Sequence, residues 1–321
     1  MQNAGPSIHR RALLAAAGLT LFATSAPPAQ AAAAQPEPEP GAGDEPTVLI
    51  YTGTTGYRHA GAIDGGIGPI QKALDEAGIA SVWEDCDGLG GAPGNCDHPD
   101  ANPRVFTPDN LARYDAIFLF NASSQWLGGG RPGPLWDDEQ RAAIRGFVNA
   151  GGGIAANHNA VDMGAGATTW DWWDGGPGSA VGTLMTGHAA TDLNNVATVR
   201  VADRHHPSTR HLPREFGFGD EHYNFARSVR GEAHVLATLD EESYDPGPNA
   251  MGKDHPISWY KRYDGGRIWV TGMGHFAESY TENGGDNNLV KHLVGGISWA
   301  AGASGPGQCA KGSTGRPSSR P

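Results

Sequence analysis

Gly151-Gly152-Gly153-Ile154-Ala155-Ala156-Asn157-His158-Asn159-Ala160-Val161-Asp162 is a glycine turn, then a short apolar run, then a polar cluster. The segment before it reads as a helix from Asp137 to Ala150. Asp137 and Gln140 stand at capping-box spacing, Ala143, Ile144, Phe147 and Val148 share one face, and Gly151 is the stop. Helix, turn, buried strand and polar cluster is the layout of an α/β site, because ligands of open parallel sheets bind beyond the carboxyl ends of the strands. His158 and Asp162 are expected at that edge. The alternative for His158 is a hydrogen-bonded structural histidine. As a pocket residue it would add little packing, so its replacement is expected to leave stability nearly unchanged.

Outward from this stretch, strands and helices alternate. Val48-Leu49-Ile50-Tyr51 reads as a buried strand leading into the polar loop Thr52 to His59. Ile63 to Ala77 reads as a helix, Ser81 to Glu84 as a second strand and Asp115 to Phe120 as a third. Alternation implies parallel pairing with helices on both faces, hence one doubly wound α/β domain over residues 47 to 301 with a mostly parallel central sheet. From Asp171 the runs shorten: Val196 to Val201, His234 to Leu239, Ile257 to Tyr260 and Arg267 to Thr271. A last helix, Asn287 to Ala300, turns Leu289, Val290, Leu293, Val294 and Ile297 inward. Between about residue 163 and residue 230 an irregular insertion is expected, placed to cover the site.

The ends of the chain carry a different message. Arg10-Arg11, the apolar stretch Ala12 to Ala23 and Ala29-Gln30-Ala31 have the layout of a twin-arginine export signal over residues 1–31. A Pro/Glu/Ala linker, residues 32–46, follows, and Gly302 to Pro321 is a Gly/Ser/Pro tail without apolar residues to pack. The apolar stretch is too short to span a bilayer, so no integral membrane segment is expected in the mature protein. Loss of Arg10 and Arg11 would take the net charge from -12 to -14, which argues against nucleic acid and anionic membranes as partners. In an oxidising compartment Cys86 and Cys96 are expected to pair across the intervening loop, leaving Cys309 over. Cysteine spacing fits no common zinc pattern.

Further polar clusters sit beside apolar runs: Asp220-Glu221-His222-Tyr223-Asn224-Phe225, Asp254-His255-Pro256, and Gly274-His275 after Trp269-Val270-Thr271. Each has a bland alternative. Asp220 and Glu221 fit a solvated turn, His275 fits a structural role, and Trp170, Trp172 and Trp173 fit either core or a platform for sugar rings.

Taken in order, these segments resemble the ThuA-like family, named for trehalose utilisation, within the class I glutamine amidotransferase-like superfamily. The resemblance covers nearly all of residues 47 to 301. It runs through Thr54 to His59, Gly151 to Asp162, Gly187-His188, His206-Pro207, Asp220 to Phe225, His255 to Trp259 and Gly266 to His275. It implies a flavodoxin-like fold and a role in disaccharide or glycoside metabolism. Amidotransferases of the superfamily place a cysteine at the strand-to-helix elbow, whereas this chain has Asn157-His158-Asn159 there and no cysteine between Cys96 and Cys309. Thioester chemistry on glutamine is therefore excluded.

What remains is proton transfer or polarisation by His158, Asp162, Glu221 and His275. Tyr57, Arg58, His59, Asn159, Trp172, Asp220, Tyr223, Asn224 and His255 are the candidates for holding a substrate. The leading expectation is an exported carbohydrate-active hydrolase, lyase or isomerase acting on a small or oligomeric glycoside or keto-sugar, with no cofactor assigned. A second is a metal-dependent hydrolase in which His59, His158 and His275, with Asp162 or Glu221, hold a divalent ion such as zinc, although no short ligand motif is present. A third is a sugar-binding protein without turnover.

Overall fold

Thr47–Tyr51 (β1) and Ala116–Phe120 (β3) are apolar on both faces, which only an interior parallel strand tolerates, and both lie inside a nine-stranded sheet. The computed structural model describes residues 45–55, 57–85, 105–124, 134–163 and 170–303. The expected export signal, most of the linker, the expected Cys86 to Cys96 pair, the Cys309 thiol and nearly all of the tail lie outside those residues.

The remaining strands are Ala80–Glu84 (β2), Gly153–Asn157 (β4), Met185–His188 (β5), Asp192–Val201 (β6), Glu215–Asp220 (β7), Tyr223–Phe225 (β8), His234–Asp240 (β9), Pro256–Tyr263 (β10) and Gly266–Thr271 (β11). The large sheet runs β2-β1-β3-β4-β11-β10-β9-β6-β7. Pairing is parallel from β2 to β11 and antiparallel from there to β7. Seven of the nine strands therefore point the same way, and only β10 and β6 reverse. β5 and β8 form a separate antiparallel pair.

Helices Ala60–Glu76 (α1) and Asn288–Ala301 (α6) cover one face, and Asp138–Asn149 (α3) covers the other. Alternation along β11 makes this visible. Arg267 and Trp269 face α6, with Trp269 against Gly296, while Gly266 faces Val148 of α3. Short helices Pro108–Leu111 (α2), Asp171–Asp174 (α4) and Glu278–Thr281 (α5) complete the fold. Among the described residues no helix is long and apolar enough to cross a membrane.

Local chemistry explains the boundaries. Asp137 accepts the Gln140 amide while the Gln140 side chain accepts the Asp137 amide, the reciprocal pair that its spacing suggested. α1 begins three residues before the expected Ile63, because its glycines obscure the apolar pattern. They permit close packing instead: a Cβ on Gly66 would lie 2.5 Å from the Phe120 ring.

The expected irregular insertion needs correction. Residues 163 to 230 contain β5 to β8, and β6 and β7 complete the central sheet. The first part of β6, Asp192-Leu193-Asn194-Asn195, is exposed up to a half-buried Asn195 and mostly polar, so it offers no apolar periodicity to read.

Candidate active site at the carboxyl edge of the sheet

Three histidines leave the sheet at one edge. His59 follows the β1 loop and precedes α1, His158 follows β4, and His275 follows β11. Glu221, directly after β7, joins them.

His158 stands at a sharp elbow. Its φ is +46°, a left-handed conformation that costs an L-residue roughly 1–2 kcal/mol, and the chain passes directly into the 3-10 turn His158–Val161. A strained strand-to-helix turn is how hydrolases of this general architecture present a nucleophile. Here the elbow aims an imidazole that is completely buried. Its Nδ1 lies 2.9 Å from the Gly272 carbonyl oxygen. A carbonyl only accepts, so Nδ1 carries the proton and Nε2 presents a lone pair.

That lone pair faces His275 Nδ1 at 3.2 Å, and His275 Nδ1 lies 2.5 Å from Glu221 Oε2. The same oxygen is 3.5 Å from His158 Nε2. The other carboxylate oxygen, Oε1, accepts from Thr191 Oγ1 at 3.2 Å and lies 3.0 Å from His188 Nδ1. Burial alone would raise the Glu221 carboxyl. The contacts with His158, His188 and His275 outweigh it and hold the group well below the ordinary carboxylate range. His188 is raised in turn, first by its bond to Glu221, with the Asp162 charge a smaller contributor.

His59 closes the cluster. Its ring stands edge-on to those of His158 and His275, with centroids 4.7 Å away in each case. Burial, then the neighbouring His158 and His275, push it down to about 2, so it is neutral. Its Nδ1 is buried without a hydrogen-bond partner among the described residues.

Behind these groups lies a polar frame. Both carboxylate oxygens of Asp220 accept backbone amides, from Gly274 and His275. The Tyr280 hydroxyl donates to the Gly274 oxygen at 2.6 Å and accepts from Asn157, whose Oδ1 accepts the Asn121 amide. This frame ties the ends of β3, β4 and β11 together.

The other expected site residues divide. Tyr57 is half-exposed and meets the His59 ring edge-on, which puts it at the rim. Tyr223 is buried and packs on the His158 ring, and Asn159 is buried and donates to the Tyr57 oxygen. Asp162 is buried at the end of the 3-10 turn.

Four others are engaged elsewhere. Arg58 ion-pairs with Asp85 and donates to the Thr52 oxygen. Asn224 is buried and donates to the Pro246 oxygen, and His255 is buried between the Tyr223 oxygen and Glu241. Trp172 donates to Asp264, in the turn before β11. β11 spans six residues, so that turn lies about 20 Å from the cluster and Trp172 is no stacking platform for it. His188, Thr191, Asn121, Asn157 and Tyr280 were not expected as site residues. Only Asn157, at the elbow within Gly151 to Asp162, and Gly187-His188 carried a signal, as segments of the family resemblance.

A family model described as "Trehalose utilisation" matches residues 47–300. The chain belongs to the ThuA family. Among solved structures, a putative ThuA-like protein from Bacteroides uniformis is 19% identical with a TM-score of 0.59, over 83% of this chain and 95% of that one. A putative ThuA-like protein from Parabacteroides merdae is 15% identical with a TM-score of 0.50, over 83% and 94%. At such identities the likeness concerns the ThuA fold. No curated protein sequence matches this ThuA chain.

Proposed function

We propose that this ThuA chain is an exported enzyme that acts on a glycoside or keto-sugar by acid–base chemistry, with His275 as the base and Glu221 as its orienting carboxylate. The family's description supports a sugar-related role. The observation that carries the chemistry is the 2.5 Å contact between His275 Nδ1 and Glu221 Oε2. A carboxylate on Nδ1 keeps the proton there, which leaves Nε2 as the basic nitrogen, the division of labour of an oriented catalytic imidazole. Of His59, His158 and His275, the last is the most exposed, with 15% of its side chain accessible.

On a keto-glycoside, Nε2 takes the proton from the carbon between the carbonyl and the glycosidic bond. The C–H electrons become a C=C bond, the C–O bond breaks, and the departing oxygen is protonated by the imidazolium or by water. Tyr57 at the rim offers a face for the sugar. No thiol is involved, since the elbow residue is His158.

The test is a panel of 3-keto-glycosides, uronates and simple disaccharides, followed by release of alcohol and unsaturated sugar. His275→Ala and Glu221→Gln are expected to lower turnover by about 10²–10⁴ while glutaminase activity is undetectable throughout. Turnover unchanged in His275→Ala would overturn the assignment. Saturable binding with no turnover of any member would favour a sugar-binding protein.

A further inference from the structure

We propose that His59, His158, His275 and Glu221 form a binding site for one divalent cation of the zinc class. The inference goes beyond the sugar reading and stands without it, since it concerns ion uptake alone. One ligand-capable atom from each residue lies within 4.8 Å of the other three. Zinc bonds of about 2.0–2.2 Å in a tetrahedron place ligand atoms roughly 3.3 Å apart. His158 Nε2 is already 3.2 Å from His275 Nδ1 and 3.5 Å from Glu221 Oε2. His59 completes the set by a small ring movement.

Three features separate this cluster from an ordinary buried polar network. First, its donors are three imidazoles and one carboxylate, a set that suits zinc and related transition ions and not calcium or magnesium. Second, the far sides of the ligands are held as metal ligands are held. His158 Nδ1 donates to the Gly272 oxygen, and Glu221 Oε1 is fixed by His188 and Thr191. Third, His59, only 6% exposed, has a buried Nδ1 with no hydrogen-bond partner among the described residues, an arrangement that leaves its ring free to turn toward an ion. The ion and the proton shared by His275 Nδ1 and Glu221 are alternative occupants of one gap.

The experiment strips the full-length protein with a chelator, removes the chelator by dialysis and titrates with zinc chloride in a calorimeter, with cobalt chloride as a spectroscopic probe. The expected result is one equivalent of zinc, visible cobalt absorption of tetrahedral intensity, and a higher unfolding midpoint in the loaded protein. His59→Ala and Glu221→Gln are each expected to weaken zinc at least tenfold with far-UV dichroism retained, whereas His205→Ala, on an exposed turn, leaves it unchanged. Should His59→Ala not fold, His59→Gln replaces it. Absence of stoichiometric uptake by the wild-type chain, or uptake insensitive to both substitutions, overturns the site. A failure of the sugar reading would look different: zinc bound as expected, with no substrate turned over by loaded or stripped protein.

Discussion

Asp220 grips the backbone of His275 while Glu221, the next residue, grips its ring. Asp220 Oδ1 accepts the His275 amide at 2.9 Å and its Oδ2 accepts the Gly274 amide at 2.7 Å, both out of contact with water. Glu221 Oε2 meets His275 Nδ1. One turn after β7 thus sets both the position and the rotation of the imidazole. Asp220, expected as a substrate contact, is a positioning residue.

Asp220→Asn tests that division. An amide offers only one oxygen, so its NH₂ must face a backbone N–H and a buried donor loses its partner, at about 1–3 kcal/mol. Urea unfolding should show that loss, and kcat for a keto-glycoside should fall with KM little changed. Unaltered stability would mean that the loop holds His275 without Asp220.

His158 makes a sharper case. The ring is fully buried against Tyr223, so the expectation of a neutral replacement does not hold. Both His158→Ala and His158→Asn should destabilise, but Asn accepts a left-handed backbone far better than Ala. Urea midpoints should therefore favour the Asn variant by roughly 1 kcal/mol. Equal midpoints would show that the elbow relaxes when the ring is gone.

Tyr57 should behave in the opposite way. It is 48% exposed and packs mainly on the His59 edge. Tyr57→Ala is expected to change stability by less than about 0.5 kcal/mol and to raise KM for a glycoside several-fold. A loss of stability without a KM effect would make it a packing residue.

Acid should weaken the fold through His292. This ring is fully buried between the Ser208 oxygen and the Ser258 hydroxyl, and burial, then the backbone bond that opposes it, leave it lowered to about 4. Below about pH 6.5 the unfolded chain takes up a proton that the folded one refuses, so its contribution is complete above that value and is lost as pH falls toward 4. Between pH 7.5 and pH 5 the loss is about 2 kcal/mol. Guanidine unfolding at both pH values should reveal it, and His292→Gln should flatten the dependence by that amount. An equally steep dependence in the variant would place the acid sensitivity elsewhere.

The sequence carried the parallel half of the sheet well, because β1, β3 and β4 are continuous apolar runs and α3 announces itself by Asp137 and Gln140. It also placed His158 and His275 at strand ends. Two further partners of Glu221, His188 and Thr191, were illegible for a physical reason: His188 reaches it through the β5–β8 pairing, which crosses about thirty-five positions and contains a backbone irregularity near Gly187. Aromatic content misled for Trp172, since composition does not say which end of a sheet a residue occupies. Asp220 and Glu221 look alike in sequence, and only the turn after β7 separates one that holds amides from one that faces imidazoles.

The spacing of the cluster along the chain has a kinetic meaning. Its members follow β1, β4, β7 and β11, so the parallel core and the antiparallel extension must both be in place before they meet. Contacts of such sequence separation repay their loop-closure entropy late, after the local helices have formed. A chain halted before β11 has neither His275 nor the Gly272 carbonyl that fixes the His158 tautomer. Partly folded molecules therefore lack the assembled cluster, whose formation requires both halves of the sheet.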